Sequence, residues 1–413
     1  MNSERATDSG CEMDLLCDCI APNRSASLKG DLLRTRSVDW PRFFALATNH
    51  HVIPLVYQAL KSMADGGAAI PPEWLAQFRT RYLSIAAYNV RAMALLHRLQ
   101  QLMEAQGIRL VPVKGPALAM LAFGDVASRQ FEDLDLIVRR EDMLRAVAAL
   151  ERDGYALREL SITADRKRYL ATLQNWSLEK PGKPPLDLKP VLISHALIGP
   201  ESADYMASAC RRLPIDDKRV LWAPGPEAML LATCMDGANE MWFKLSAVAD
   251  VAALLAAHAD RDWHGFLAEA ARWGQRRSLL VGAGVAEELL GCDLPSAFRE
   301  GDRRDPAARR LARQAAERLR ALAPRHAIVG RQTWFALQTR ERARDRLRFG
   351  QRLLFVPGAF ELAALPLPGV LYPVHSLLRP FRLAWDVLVR KGRQRRLTIQ
   401  PTGGKLMGNA KDA

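Results

Sequence analysis

Aromatic residues are scarce in this 413-residue chain, at 7% of the total, while Ala, Leu and Arg are abundant, a balance that favours helix. Cysteine is rarer still: Cys11, Cys17, Cys19, Cys210, Cys234 and Cys292 are the full set. Three of them cluster near the N-terminus, but no histidine lies near them and no second pair follows at zinc spacing. Nothing reads as a disulfide framework, so a reducing compartment is expected. The chain lacks a Gly-x-x-x-x-Gly-Lys phosphate loop and a Gly-x-Gly-x-x-Gly fingerprint. It also lacks an uninterrupted apolar run long enough to span a bilayer. Leu353 to Tyr372 comes nearest, but Pro357, Glu361, Pro366 and Pro368 interrupt it, so it reads as a buried loop or an interfacial patch. The opening residues, MNSERATDSGCEMD, lack the basic start and apolar core of a signal peptide. The expected location is cytoplasmic. No internal repeat is evident.

What the chain does have is positive charge. It carries a formal net charge of +14, with 49% hydrophobic and 25% charged residues. A basic globular chain can meet nucleic acid, anionic lipid or phosphorylated small molecules. Here the excess is spread out, with concentrations at Arg303 to Arg348 and Arg390 to Arg396. Because Glu and Asp are interleaved in the first of these, it reads as a solvated helical face.

The hydrophobic period changes twice along the chain. Residues 1–106 read as helical: a short helix near Met13 to Ile20, a helical pattern from Asp39 to Leu60 with Asp39 as cap and Pro41 in the first turn, and a long helix from Glu73 to Gln106 stopped by Gly107. Residues 107–215 read as an α/β core. Ile108 to Val113 is a short buried strand, Ala117 to Phe123 a helix, Phe131 to Val138 a second strand and Glu141 to Arg152 a helix. Asn175 to Lys180 and Pro185 to Ile193 form a hairpin about Pro181-Gly182-Lys183-Pro184. Residues 216–350 are helical again, and 351–413 form a Pro-rich apolar and basic tail. The expected class is α+β, a small mixed sheet flanked by two helical regions.

Chemistry concentrates in the core. The run Phe131 to Val138 reads FEDLDLIV. A strand sends alternate side chains to opposite faces, so Asp133 and Asp135 share one face while Leu134, Leu136 and Val138 share the other. Two carboxylates a few Å apart on an interior strand call for a cation, and a hard divalent ion with oxygen ligands is the usual solution. Asp187, in the second strand of the hairpin, becomes a third carboxylate if that strand neighbours the first pair. Three carboxylates can hold two Mg²⁺ ions for phosphoryl transfer. The competing reading is a surface pair between Asp187 and Lys189. Upstream, Lys114-Gly115 ends a strand and opens a helix, which offers close backbone approach, free amides and a full positive charge to a phosphate. It is also a common turn. Arg129, on the loop before the Asp pair, reaches phosphate oxygens or lies solvated. His50-His51 follows an amphipathic helix and reads as packing or capping. Trp242, Trp263 and Trp273 read as core.

With these residues in place, the chain resembles the bacterial "uncharacterised nucleotidyltransferase" family of the DNA polymerase β-like superfamily. The resemblance runs from Asp39-Trp40 and His51 to Leu55 through Asn89, Gly107-Ile108, Val113-Lys114-Gly115, Arg129, Asp133 to Val138, Gly154-Tyr155 and Asp187-Leu188. It continues with Gly237, Trp242, Lys244-Leu245, Asp250 and Asp262-Trp263. It implies an NTP co-substrate, two Mg²⁺ ions, and transfer of a nucleoside monophosphate to a hydroxyl or phosphate acceptor. Asp133, Asp135 and Asp187 would be the catalytic metal ligands. Lys114, Gly115, Arg129 and Lys189 would bind the nucleotide. Lys189 and Asp236 stand where the family often has histidine. By analogy the acceptor belongs to specialised-metabolite, modified-peptide or polysaccharide biosynthesis. The rival reading keeps the core as a scaffold without catalysis, its basic surface binding nucleic acid or lipid headgroups. Nucleic acid would then bind without Mg²⁺ and weaken steeply with salt.

Overall fold

A computed structural model describes residues 11–22, 38–158, 175–190, 201–321, 329–355, 374–383 and 385. They fall into two units, one within residues 1–161 and 174–349, the other within 350–413. Every described strand lies in the first. The apolar run beyond Phe355, the basic stretch Arg390 to Arg396, and His195 lie outside the described residues. No helix among those described is long and apolar enough to cross a membrane.

The first unit opens with α1 (Cys11–Ile20), α2 (Trp40–Asn49), α3 (Ile53–Asp65) and the 33-residue α4 (Pro72–Glu104). Asp39 caps α2 by accepting from Arg42 N at 3.0 Å, and Pro41 sits in the first turn, as the sequence pattern predicts. The single helical pattern from Asp39 to Leu60 is in fact two helices. His50 closes the first, and His51 takes a left-handed backbone (φ 57°), from which Val52 N reaches back to Ala47 O at 3.0 Å. An amphipathic period continues across such a break when both helices face the same core, which is why the pattern hid it.

Then follow β1 (Val111–Pro112), α5 (Gly115–Phe123), β2 (Leu134–Ile137), α6 (Met143–Arg152), β3 (Ala156–Leu157), β4 (Trp176–Glu179) and β5 (Leu186–Lys189). The five strands form one mixed sheet in the order β1-β2-β5-β4-β3. The predicted hairpin is present as the antiparallel pair β4–β5, while β5 also pairs in parallel with β2. Leu134, Leu136, Leu178, Leu186 and Leu188 are buried and share the apolar face. The paired segments are shorter than the apolar runs that announce them. β3 and a separate hairpin of β6 (Cys210–Pro214) and β7 (Val220–Pro224) carry weak alternation and were not expected.

The remaining helices are α7 (Glu201–Ser208), α8 (Pro226–Asn239), α9 (Leu245–Ala257), α10 (Trp263–Arg272), α11 (Arg276–Leu290), α12 (Ser296–Arg304), α13 (Pro306–Arg320), α14 (Val329–Gln338) and α15 (Ala343–Phe355). α8, α9, α11 and α13 pack together, and α9 also packs on α5, which brings this helical layer to the edge of the sheet. Trp242 and Trp263 are fully buried, as core residues. Cys17, Cys19, Cys210, Cys234 and Cys292 are buried, and no disulfide joins any of them.

Glycines keep α8 and α11 close around Trp242. A Cβ on Gly282 would lie 2.5 Å from Cys234 Sγ and 2.9 Å from the Trp242 ring. Gly282→Ala gains about 1 kcal/mol of helix propensity but overpacks a filled core at a cost of about 1–3 kcal/mol. Chemical denaturation is expected to show net destabilisation; a stabilised variant would mean that the packing here is slack.

Candidate active site

Two β-strands bring the three predicted carboxylates together. In the parallel β2–β5 ladder Asp135 stands opposite Asp187, and paired residues point to the same face. Asp133 precedes β2 by one residue and shares that face with Asp135. One oxygen from each of Asp133, Asp135 and Asp187 lies within 4.8 Å of the others. The register is anchored at its two ends by Leu134 N to Pro185 O at 2.9 Å and Val138 N to Lys189 O at 3.0 Å. Asp187 is aimed by neutral donors, Asn175 Nδ2 at 3.0 Å and Ser177 Oγ at 2.7 Å.

β1 delivers the second feature. Val113 N bonds to Asp135 O at 3.1 Å, so Lys114-Gly115 emerges beside the carboxylates. Gly115 opens α5 with φ 56°, a left-handed conformation that disfavours other residues. Lys114 Nζ bonds to Asp236 on α8 and lies 3.9 Å from Asp135 Oδ2. Burial opposes its charge, yet Asp236 and Asp135 hold its pKa above the usual lysine value. Lys189 makes no surface pair with Asp187; its ammonium bonds to Asp135 Oδ1.

Arg129 is neither solvated nor loose. Its Nε donates to both oxygens of Asp250 on α9, at 2.9 and 3.0 Å. The loop that carries it is fixed from below: Asn89, fully buried on α4, donates to Val126 O at 2.7 Å and Arg129 O at 2.6 Å. Burial pushes the Asp250 carboxyl up, and Arg129 offsets part of that.

All seven predicted residues line one cavity of about 330 Å³, open between the sheet and α8–α9. The sequence reading missed part of the opposite wall. His51 and Lys244 line it too, with Nε2 and Nζ 3.1 Å apart. Burial and then Lys244 hold the His51 imidazole below its ordinary pKa. His51, Lys244 and Asp250 occur in the motif string and Asp236 stands where the family often has histidine, but nothing local in the sequence places them across from the carboxylates. Seven carboxylates line the cavity (Glu132, Asp133, Asp135, Asp187, Asp236, Glu240, Asp250) against four permanent cations (Lys114, Arg129, Lys189, Lys244), an excess of three negative charges in a chain of net charge +14.

The donor set at the carboxylates is hard oxygen, which suits Mg²⁺, Mn²⁺ or Ca²⁺ rather than a thiolate-seeking metal. Asp133 and Asp135 differ in state. Burial raises Asp133, and Asp135 and Asp187 add to it, bringing its pKa to about 6. Burial acts the same way on Asp135, but Lys114 and Lys189 outweigh it and hold that carboxyl below the usual range. Asp133 and Asp187 make no ion pair among the described residues, so a cation is accommodated where their charge is uncompensated.

A profile of the family described as "uncharacterised nucleotidyltransferase" matches residues 36–291, more than half of the chain, and the protein belongs to that family. Among curated proteins none matches it.

The state of Asp133 gives a stability prediction. A carboxyl whose folded pKa is about 6, against 3.8 unfolded, favours the fold while protonated and loses that contribution as pH rises through 6. Asp133→Asn should therefore stabilise the metal-free protein at pH 8, by on the order of 2 kcal/mol, and give no gain below pH 4. Denaturant titrations in EDTA at both pH values measure this. A destabilised variant at pH 8 would show that Asp133 is already compensated.

Proposed function

We propose that this member of the nucleotidyltransferase family transfers a nucleoside monophosphate from an NTP to an acceptor bearing a hydroxyl or phosphate, with Mg²⁺ held by Asp133, Asp135 and Asp187. The observation that carries the proposal is the convergence of these three carboxylates on one sheet face, beside a lysine-glycine turn that opens a helix. When bound, the metal supplies positive charge to the transferring phosphoryl group and to the departing pyrophosphate.

The chain's own residues do the positioning. The Gly115 backbone lets the triphosphate approach the start of α5, where free amides and the helix dipole favour an anion. Lys114 and Lys189 add full charges on the same side. Arg129, braced by Asp250 and by the Asn89-held loop, presents its guanidinium toward the phosphates with little freedom to lose. The acceptor enters against the helical wall, where His51, Lys244 and Glu240 lie. A cytoplasmic setting supplies both NTP and Mg²⁺.

The scaffold reading fits this cavity poorly. Its excess of carboxylates repels a polyanion unless a divalent ion reverses the local sign, whereas a protein surface that binds nucleic acid presents a basic patch.

Incubation with each labelled NTP, Mg²⁺ and an extract of the native host, followed by mass spectrometry, should reveal a product heavier by one nucleotide. Asp133→Ala should lower the yield on the order of 10²–10³-fold, as for loss of a group that stabilises transition-state charge. Equal labelling by the variant and the wild type would refute the assignment. Lys114→Ala should weaken Mg²⁺-dependent binding of a non-hydrolysable NTP about tenfold or more, measured by equilibrium dialysis; unchanged binding would remove Lys114 from the phosphate seat.

A further inference from the structure

Lys189 sits where a metal would be expected to find its third ligand. It follows Asp187 by two residues on β5, so both side chains leave the strand on the same face. The β2–β5 register sets Lys189 opposite Ile137, one pleat beyond the Asp135–Asp187 pair, and from there its ammonium reaches back to Asp135 Oδ1. The other oxygen, Oδ2, faces Lys114 at 3.9 Å. Asp135 is buried, 9% exposed, and each of its two oxygens has an ammonium group beside it. Asp133 and Asp187 differ: neither makes an ion pair among the described residues, and Asp187 is held by a side-chain amide and a hydroxyl.

The carboxylate cluster is therefore divided. Among the described residues two members have no cation of the chain's own, and the third, Asp135, already has one. With Lys114 matched by Asp236, the three carboxylates and Lys189 sum to a formal charge of −2, which one divalent ion cancels. A second ion held through Asp135 would compete with Lys189 for Oδ1 and would have to break a buried, charge-assisted hydrogen bond.

We propose that Lys189 is a built-in cation that replaces one of the two metal ions, so that the nucleotide-loaded protein holds a single divalent ion. This rests on the nucleotidyltransferase reading above and refines it: the positive charge opposite Asp135 is covalently part of β5 and does not vary with the metal supply. Lys189 is then a positioning residue for Asp135, and the nucleotide brings the one exchangeable ion with it.

The test counts ions. Protein and α,β-methylene-ATP are mixed at equal concentration, and Mn²⁺ is titrated in while the EPR signal of the free ion is followed; dialysis of the same mixture reports whether the analogue is bound. The wild type should take up one Mn²⁺ per complex. Lys189→Met should take up two, and Lys189→Arg, which keeps the charge, should remain at one. Two ions in the wild type would overturn the proposal and leave the nucleotide reading intact. One ion in all three proteins would also overturn it, because Lys189 would then not be what excludes the second. If the α,β-methylene analogues of ATP, GTP, CTP and UTP all fail to bind in the presence of Mn²⁺, the nucleotide reading itself fails and this refinement falls with it.

Discussion

The parallel register between β2 and β5 is the constraint from which the site follows. It sets Asp135 directly opposite Asp187, on a face whose reverse is filled by buried leucines. Neither strand can slip by one residue to relieve the repulsion, because that slip would turn its leucines out and its acids into the core. The apolar face thus holds the acids together. Burial energy on one side of the sheet sustains an electrostatic cost on the other, which is lowered by the neutral donors on Asp187, by the raised pKa of Asp133 and by positive charge arriving in the cavity.

That positive charge comes from several directions. Lys189 arrives along β5, Lys114 from the end of β1, and Arg129 from a loop clamped by Asn89. Two of the three are tied to acids of the helical layer, Lys114 to Asp236 and Arg129 to Asp250. These pairs do more than neutralise. They connect the sheet to α8 and α9, so the two walls of the cavity share charged partners. The long, glycine-spaced contact of α8 with α11 around Trp242 keeps that helical wall in place. In a strongly basic chain the cleft is thus acidic: the surplus arginines lie elsewhere, while seven carboxylates face four permanent cations here.

Much of this was legible in the sequence, for local reasons. Alternation in FEDLDLIV gave the shared face of Asp133 and Asp135, and the Pro-Gly-Lys-Pro turn gave the β4–β5 hairpin. The Asp39 cap and the Gly107 stop marked helix ends. What was not legible depends on distant pairings. Nothing near Asp187 shows that β5 lies beside β2, some fifty residues away in sequence. Lys189 reads equally well as a phosphate contact, a surface partner of Asp187 or, as found, the partner of Asp135. The break at His51 was hidden because the apolar period runs through it, and the roles of Asp236, Asp250 and Lys244 depend on a helical layer that the motif spacing does not place.

The central claim is that Asp133, Asp135 and Asp187 converge on a cation beside the nucleotide's phosphates. Anomalous diffraction from crystals grown with Mn²⁺ and a non-hydrolysable NTP tests it most directly. The account predicts an anomalous peak within ordinary carboxylate coordination distance, about 2.0–2.3 Å, of Asp133 and Asp187, with the triphosphate on its far side next to Gly115. A bound nucleotide whose manganese lies away from these carboxylates, or clear carboxylate density with no anomalous peak beside it, would contradict it.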